Sequence, residues 1–138
     1  MAGPVLLDTC AAIWLMNRAP LSPASRAAIR AAQTANLGVY LSPFTAWEIA
    51  TLVAKGRIHL TLSPEVWFDS VLALPGVRLA ALTAQLLISS TALPGTPPAD
   101  PADRIIAATA RLYSYRVITR DSKLLEYAAQ GHILATAC

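Results

Sequence analysis

At 138 residues the chain has room for one domain with a real core and too little for two, so a single domain spanning 1–138 is expected. With 55% hydrophobic and only 14% charged residues, it should fill that core and leave an apolar patch for a partner. Two cysteines, Cys10 and Cys138, exclude a disulfide framework or a thiolate metal site, and the net charge of +3 alone fits any mildly basic soluble protein.

Val5-Leu6-Leu7 is a short apolar run that stops at Asp8, as a buried first strand does. Asp8 also interrupts the only stretch that could resemble a secretory signal, so a reducing cytoplasm is the expected compartment. Thr9 to Asn17 follows a helical pattern. Ser22-Pro23 then starts a second helix to Thr34, with Ser22 as cap and Pro23 at the first helical position. Gly38 to Leu41 reads as a second strand, and Ser42-Pro43 opens a helix to about Lys55, stopped by Gly56. Ser63-Pro64-Glu65 opens another that ends near Pro75-Gly76.

Val77 to Leu82 is the predicted third strand, followed by helix over Thr83 to Leu93. The charge-free run from Leu79 to Ala99 is the one segment that could invite a membrane reading. It carries Thr83, Gln85, Ser89 and Ser90 and ends in Pro94-Gly95-Thr96-Pro97-Pro98, so it reads as a soluble helix and a loop. Asp100-Pro101 begins a helix through Tyr113, Arg116 to Thr119 forms a fourth strand, Ser122 to Ala129 a short helix, and His132 to Thr136 a fifth strand. Short apolar strands alternating with helices predict an α/β fold, with a parallel sheet covered on both faces.

In such a sheet functional side chains gather beyond the carboxyl ends of the strands. Asp8 directly follows the first strand, Asp121 lies just past the fourth, Asp103 is in the first turn of the helix feeding that strand, and Glu48 is in the second turn of the helix after the second strand. All four can point to one edge. Singly, most have an ordinary reading: Asp8, Asp100 and Asp121 as helix caps, Asp103 as a first-turn acid, Glu48 as a solvated helix residue. Together they would repel one another without a compensating cation, and Mg²⁺ or Mn²⁺ is the hard, oxygen-preferring ion that suits them. Ions so held can activate a water and clamp a phosphodiester with no nucleophilic side chain. If these acids converge on cations, the remaining surface sets eleven Lys and Arg against Glu65, Asp69 and Glu126 and becomes distinctly basic, suited to a polyanion.

Leu6-Leu7-Asp8-Thr9, Trp47-Glu48-Ile49, Asp100-Pro101-Ala102-Asp103-Arg104-Ile105-Ile106-Ala107 and Thr119-Arg120-Asp121 resemble, in order and spacing, the four acidic motifs of the PIN-domain family, and of its VapC-type toxins in particular. The resemblance runs from about Val5 to the last strand. It implies a three-layer α/β/α PIN-like fold with a central, mostly parallel sheet of four to five short strands. It also implies Mg²⁺- or Mn²⁺-dependent cleavage of RNA and inhibition by a small VapB-like antitoxin that lays a helix into an apolar groove. Carried over by position, Asp8, Glu48, Asp103 and Asp121 form the acidic quartet, with Asp100 an additional acid at the metal and Thr119 orienting a carboxylate or a metal-bound water. Arg104, Arg120 and Lys123, beside the acids, are candidate phosphate contacts.

Trp14, Trp47 and Trp67 are expected in the core or at a homodimer interface, and His59 and His132 have no assigned role. The sequence departs from the subgroup at Ala102, where an aromatic residue is usual, and at Pro98-Ala99, where a polar one is. A haloacid-dehalogenase-like phosphatase would need a second acid where Cys10 stands. The competing reading from another class is a catalytically inactive PIN-like scaffold that binds RNA or protein.

Overall fold

The computed structural model describes residues 2–138. Five short strands, β1 (Val5–Leu7), β2 (Val39–Leu41), β3 (Val77–Leu79), β4 (Arg116–Thr119) and β5 (Leu134–Ala137), form one sheet in the order β3-β2-β1-β4-β5. Every neighbouring pair is parallel, so the expectation of a mostly parallel sheet becomes a wholly parallel one. Helices α1 (Thr9–Met16), α2 (Pro23–Thr34), α3 (Pro43–Ala54), α4 (Pro64–Leu72), α5 (Ala84–Ser89), α6 (Pro101–Tyr113) and α7 (Ser122–Ala129) fill the connections. No helix among the described residues is long and apolar enough to cross a membrane.

Alternation along the strands builds the three layers. Val5 and Leu7 face one side of the sheet with Val39, Leu41 and Ile118, where Ala11, Ile29, Ala32, Ile49, Trp67 and Val71 of α1–α4 cover them. Leu6 and Val117 face the other side against Ile106, Ala107 and Ala110 of α6 and Leu124 and Tyr127 of α7. Each such buried aliphatic side chain contributes about 1.5–3 kcal/mol, so no charge is tolerable inside β1 and Asp8 is the first position where one can stand.

Four boundaries among those expected differ clearly. Gly38 has φ +96°, outside the extended region, so β2 begins one residue later. The third strand stops at Leu79, with one further bond from the Ala80 N–H to the Leu41 carbonyl, before Thr83 caps α5. That helix is short because the Ser90 and Thr91 hydroxyls take the carbonyls of Leu87 and Ile88 at 2.6 and 2.7 Å, and the chain leaves in tight turns. The fifth strand starts at Leu134 rather than His132, after Gly131 turns the chain at φ +87°.

Candidate active site

With β1 at the centre, the chain proceeds outward to β2 and β3 on one side and to β4 and β5 on the other. The β1/β4 boundary is thus the topological switch point, where the loops diverge and open a crevice at the strands' carboxyl ends. Asp8 leaves β1 and Thr119-Arg120-Asp121 leaves β4 at this boundary.

Three of the acids are held there as helix N-caps. The Ala11 N–H donates to Asp8 Oδ1 at 2.7 Å, the Asp103 N–H to Asp100 Oδ2 at 3.1 Å and the Leu124 N–H to Asp121 Oδ2 at 2.9 Å. A cap uses one carboxylate oxygen and fixes its rotamer, so capping and a site role are compatible. Asp8, 7% exposed, also accepts a short hydrogen bond from the Thr119 hydroxyl, which in turn accepts the Asp121 N–H at 2.9 Å. Thr119 therefore links the loop after β4 to the acid after β1. Two further hydroxyls went unnoticed in the sequence. Thr9 donates to Glu48 Oε1 at 2.6 Å, and Thr45 Oγ1 lies 3.2 Å from Thr9 Oγ1. Their only local signals are that Thr9 follows Asp8 and that Thr45 precedes Glu48 by three residues, one helical turn.

The electrostatics put the carboxylates in one neighbourhood. Asp103 is pushed up to about 7, first by burial and then by the charges of Asp121, Asp100, Glu48 and Asp8. Burial raises Glu48 above the ordinary carboxylate range; the Thr9 hydrogen bond opposes this, and the charges of Asp100 and Asp8 add to it. Asp8 is raised by burial against the pull of its bonds to Thr119 and Ala11, with Asp121 adding to the rise. Packing around its sulfur, then the charges of Asp8, Glu48, Cys138 and Asp103, lift Cys10 to about 11, so it carries negligible thiolate near neutral pH. The one ion pair among the described residues, Lys123 with Glu126 at 3.7 Å, involves none of these acids.

The donor set fits a hard divalent cation in chemistry and charge: carboxylate oxygens, mutually repelling, without an ion-paired lysine or arginine. Among the described residues no three His, Cys, Asp or Glu side chains already stand as a metal-enclosing group. Asp8 and Glu48 instead hold hydrogen bonds to Thr119 and Thr9.

The candidate phosphate contacts are placed unequally. Arg104 gives one N–H to the Ser90 carbonyl at 3.2 Å. Arg120 is exposed but tied down against the surface: Nε donates to the Cys138 carbonyl, Nη2 to the Pro20 carbonyl at 3.1 Å, and the guanidinium lies 3.6 Å over the Trp14 ring. It braces the α1–α2 loop against the residue that follows β5. Lys123 pairs with Glu126. Trp67 is in the core, whereas Trp47 is 60% exposed and stacked only on Phe44, so a core role for it is corrected. The cause is helical geometry: with Thr45 and Ile49 buried on α3, the intervening Trp47 faces outward.

The PIN domain family model matches residues 5–130. Ribonuclease VapC22 of Mycobacterium tuberculosis is 32% identical over 121 residues, covering 87% of this chain and 88% of that protein. Among solved structures, VapBC2 from Rickettsia felis bound to a DNA fragment from their promoter aligns with a TM-score of 0.68 at 13% identity, covering 97% of this chain and 98% of the other. FitAcB from Neisseria gonorrhoeae aligns with a TM-score of 0.54 at 23% identity, covering 95% of each chain. At those identities the two structures speak for the fold alone.

Proposed function

The chain belongs to the PIN-domain family and, within it, to the VapC type, and from that membership we propose that it is a metal-dependent endoribonuclease, the toxin of a VapBC-type toxin–antitoxin pair. The observation that carries this reading is the gathering of mutually repelling carboxylates at the switch point without a paired cation. The likeness to a protein named a ribonuclease supports it. We read residues 1–138 as one PIN domain, acting in the cytoplasm.

Asp8, Glu48, Asp103 and Asp121, with Asp100 beside them, would hold Mg²⁺ or Mn²⁺. When bound, the ion supplies Lewis-acid polarisation of the phosphodiester and an acidified water. The protein's own part is positioning and charge. Thr119 orients Asp8, and the N-caps fix Asp8, Asp100 and Asp121. With its carboxyl pushed up to about 7, Asp103 is partly protonated near neutral pH and must be ionised to act as a ligand, so cation affinity rises with pH. Arg104, with N–H groups beyond its bond to Ser90, is assigned to the RNA backbone. Arg120 contributes to that contact only through N–H groups not spent on Cys138 and Pro20.

A VapB-like antitoxin and a second copy of the chain are the proposed protein partners. The cleft between α3 and α4, about 200 Å³ and lined by Ala46, Ala50, Pro64 and Phe68 with Glu65 and Asp69 also in its lining, supports the docking of a helix that carries an apolar stripe and a basic residue. Exposed Trp47, Leu87 and Ile88 support self-association. Cleavage of single-stranded RNA with Mg²⁺ or Mn²⁺, abolished by EDTA and by Asp8→Asn or Asp103→Asn in folded protein, is the expected result. Equal cutting by both variants would end the assignment.

One observation favours the inactive scaffold: no preformed metal-enclosing group stands among the described residues. That reading predicts RNA or protein binding indifferent to EDTA.

A further inference from the structure

Glu48 differs from Asp8, Asp100 and Asp121 in how it is held. It lies in the second turn of α3, where the backbone N–H groups are spent within the helix, and so it cannot be fixed as a cap. Its placement rests on one side-chain bond, donated by the Thr9 hydroxyl to Oε1 at 2.6 Å, while Oε2 has no protein donor among the described residues. A second hydroxyl stands behind the first, at Thr45.

A hydroxyl carries one hydrogen and an ionised carboxylate carries none. Thr9 gives its hydrogen to Glu48, so the bond between the two threonines must be donated by Thr45. The hydroxyls therefore form a one-way chain from Thr45 through Thr9 to Glu48, and each bond polarises the next. Thr9 is 8% exposed and Thr45 is 0% exposed, which leaves little room for water to replace either donor. Thr9 also begins α1 directly after Asp8, so one residue ties together the acid after β1 and the acid on α3.

We propose that Thr9 is a positioning residue for Glu48: its hydroxyl, held in turn by Thr45, pins Oε1 and leaves Oε2 as the free oxygen for a divalent cation. The inference rests on the reading of Glu48 as a metal ligand. Outer partners of this kind orient ligands and typically alter affinity by ~10–100-fold when removed.

The test titrates the full metal-free chain with Mn²⁺ alone, following binding by calorimetry and the fold by circular dichroism. Thr9→Val should weaken Mn²⁺ binding about tenfold, and Thr9→Ser, which keeps the donor, should restore it. Thr45→Val should cost less, about fivefold, the equivalent of one net hydrogen bond. In a Glu48→Ala background, Thr9→Val should cost nothing further, which a role confined to packing would not produce.

Additive losses in that background, a failure of serine to rescue, or wild-type affinity in both valine variants would overturn the positioning role and leave the nuclease reading intact. Should Thr9→Val fail to fold, Thr45→Val decides, and unchanged affinity there refutes the chain. A wild-type protein that takes up no Mn²⁺ overturns the nuclease reading, and the inference falls with it.

Discussion

Helices capped by carboxylates and helices capped by hydroxyls occupy different parts of this molecule. Ser22, Ser42, Ser63 and Thr83 cap α2, α3, α4 and α5, whereas Asp8, Asp100 and Asp121 cap α1, α6 and α7. The residue types are nearly equivalent as caps, and Ser or Asp in place of alanine stabilises a helix by a similar ~1 kcal/mol. Capping alone therefore does not explain why, on top of burial, the charges of Asp100 and Asp8 raise Glu48 and those of Asp121, Asp100 and Asp8 raise Asp103, all at a single edge. Their charge costs stability there. That cost is what a cation site would offset.

The sharpest way to break the comparison is Asp8→Ser, which keeps a capping oxygen and removes the charge together with the oxygen that accepts from Thr119. RNA cleavage should fall by about two orders of magnitude or more, corresponding to ~3 kcal/mol of lost transition-state stabilisation, while thermal unfolding of the metal-free protein stays near wild type. Retained activity would mean the carboxylate was only a cap.

The next effect is in pH. A carboxyl whose folded pKa is raised stabilises the fold below its unfolded pKa and loses that contribution as pH climbs through the folded value. For Asp103 the window runs from the ordinary aspartate value of 3.8 to about 7. Metal-free protein should thus melt at falling temperature across that window, and Asp103→Asn should flatten the trend. Mn²⁺ should raise the melting temperature more at pH 8 than at pH 5.5, because protons compete for the same oxygens. Calorimetric melting curves at several pH values check both.

A smaller loss is expected for Asp121→Ser, about tenfold in Mn²⁺ affinity, since the serine keeps a capping oxygen and three of the four acids remain. The smallest belongs to the other class of cap. Ser63→Asp on α4 keeps its capping oxygen, adds a charge outside the acidic crevice, and should leave Mn²⁺ binding unchanged and stability within ~0.5 kcal/mol. A loss of cation affinity in Ser63→Asp would dissolve the distinction between the two sets.

Much of this was readable along the chain because the signals are local. Ser-Pro and Asp-Pro dipeptides mark helix starts through fixed backbone geometry, and they place the beginnings of α2, α3, α4 and α6 correctly. Val5–Leu7 and Arg116–Thr119 emerge from short apolar runs bounded by polar residues. Less legible was whatever depends on residues distant in sequence. The clamp of Arg120 reaches Pro20, 100 residues away, Trp14 beyond it, and Cys138, 18 residues away, and no spacing rule distinguishes it from a free phosphate contact. The bond from Thr9 to Glu48 likewise exists only once β1 and α3 are packed. Of the two places expected for Trp47, the core is ruled out by the phase of α3, which buries Thr45 and Ile49 instead, and only the interface remains.

Calorimetric titration of the metal-free protein with Mn²⁺ near pH 7.5, comparing wild type with Asp103→Asn, tests the cation site most directly. Saturable binding by wild type, with protons released to buffer and binding weakened at least tenfold in the variant, is the expected result. No binding by wild type, or identical isotherms for the two proteins, would contradict it.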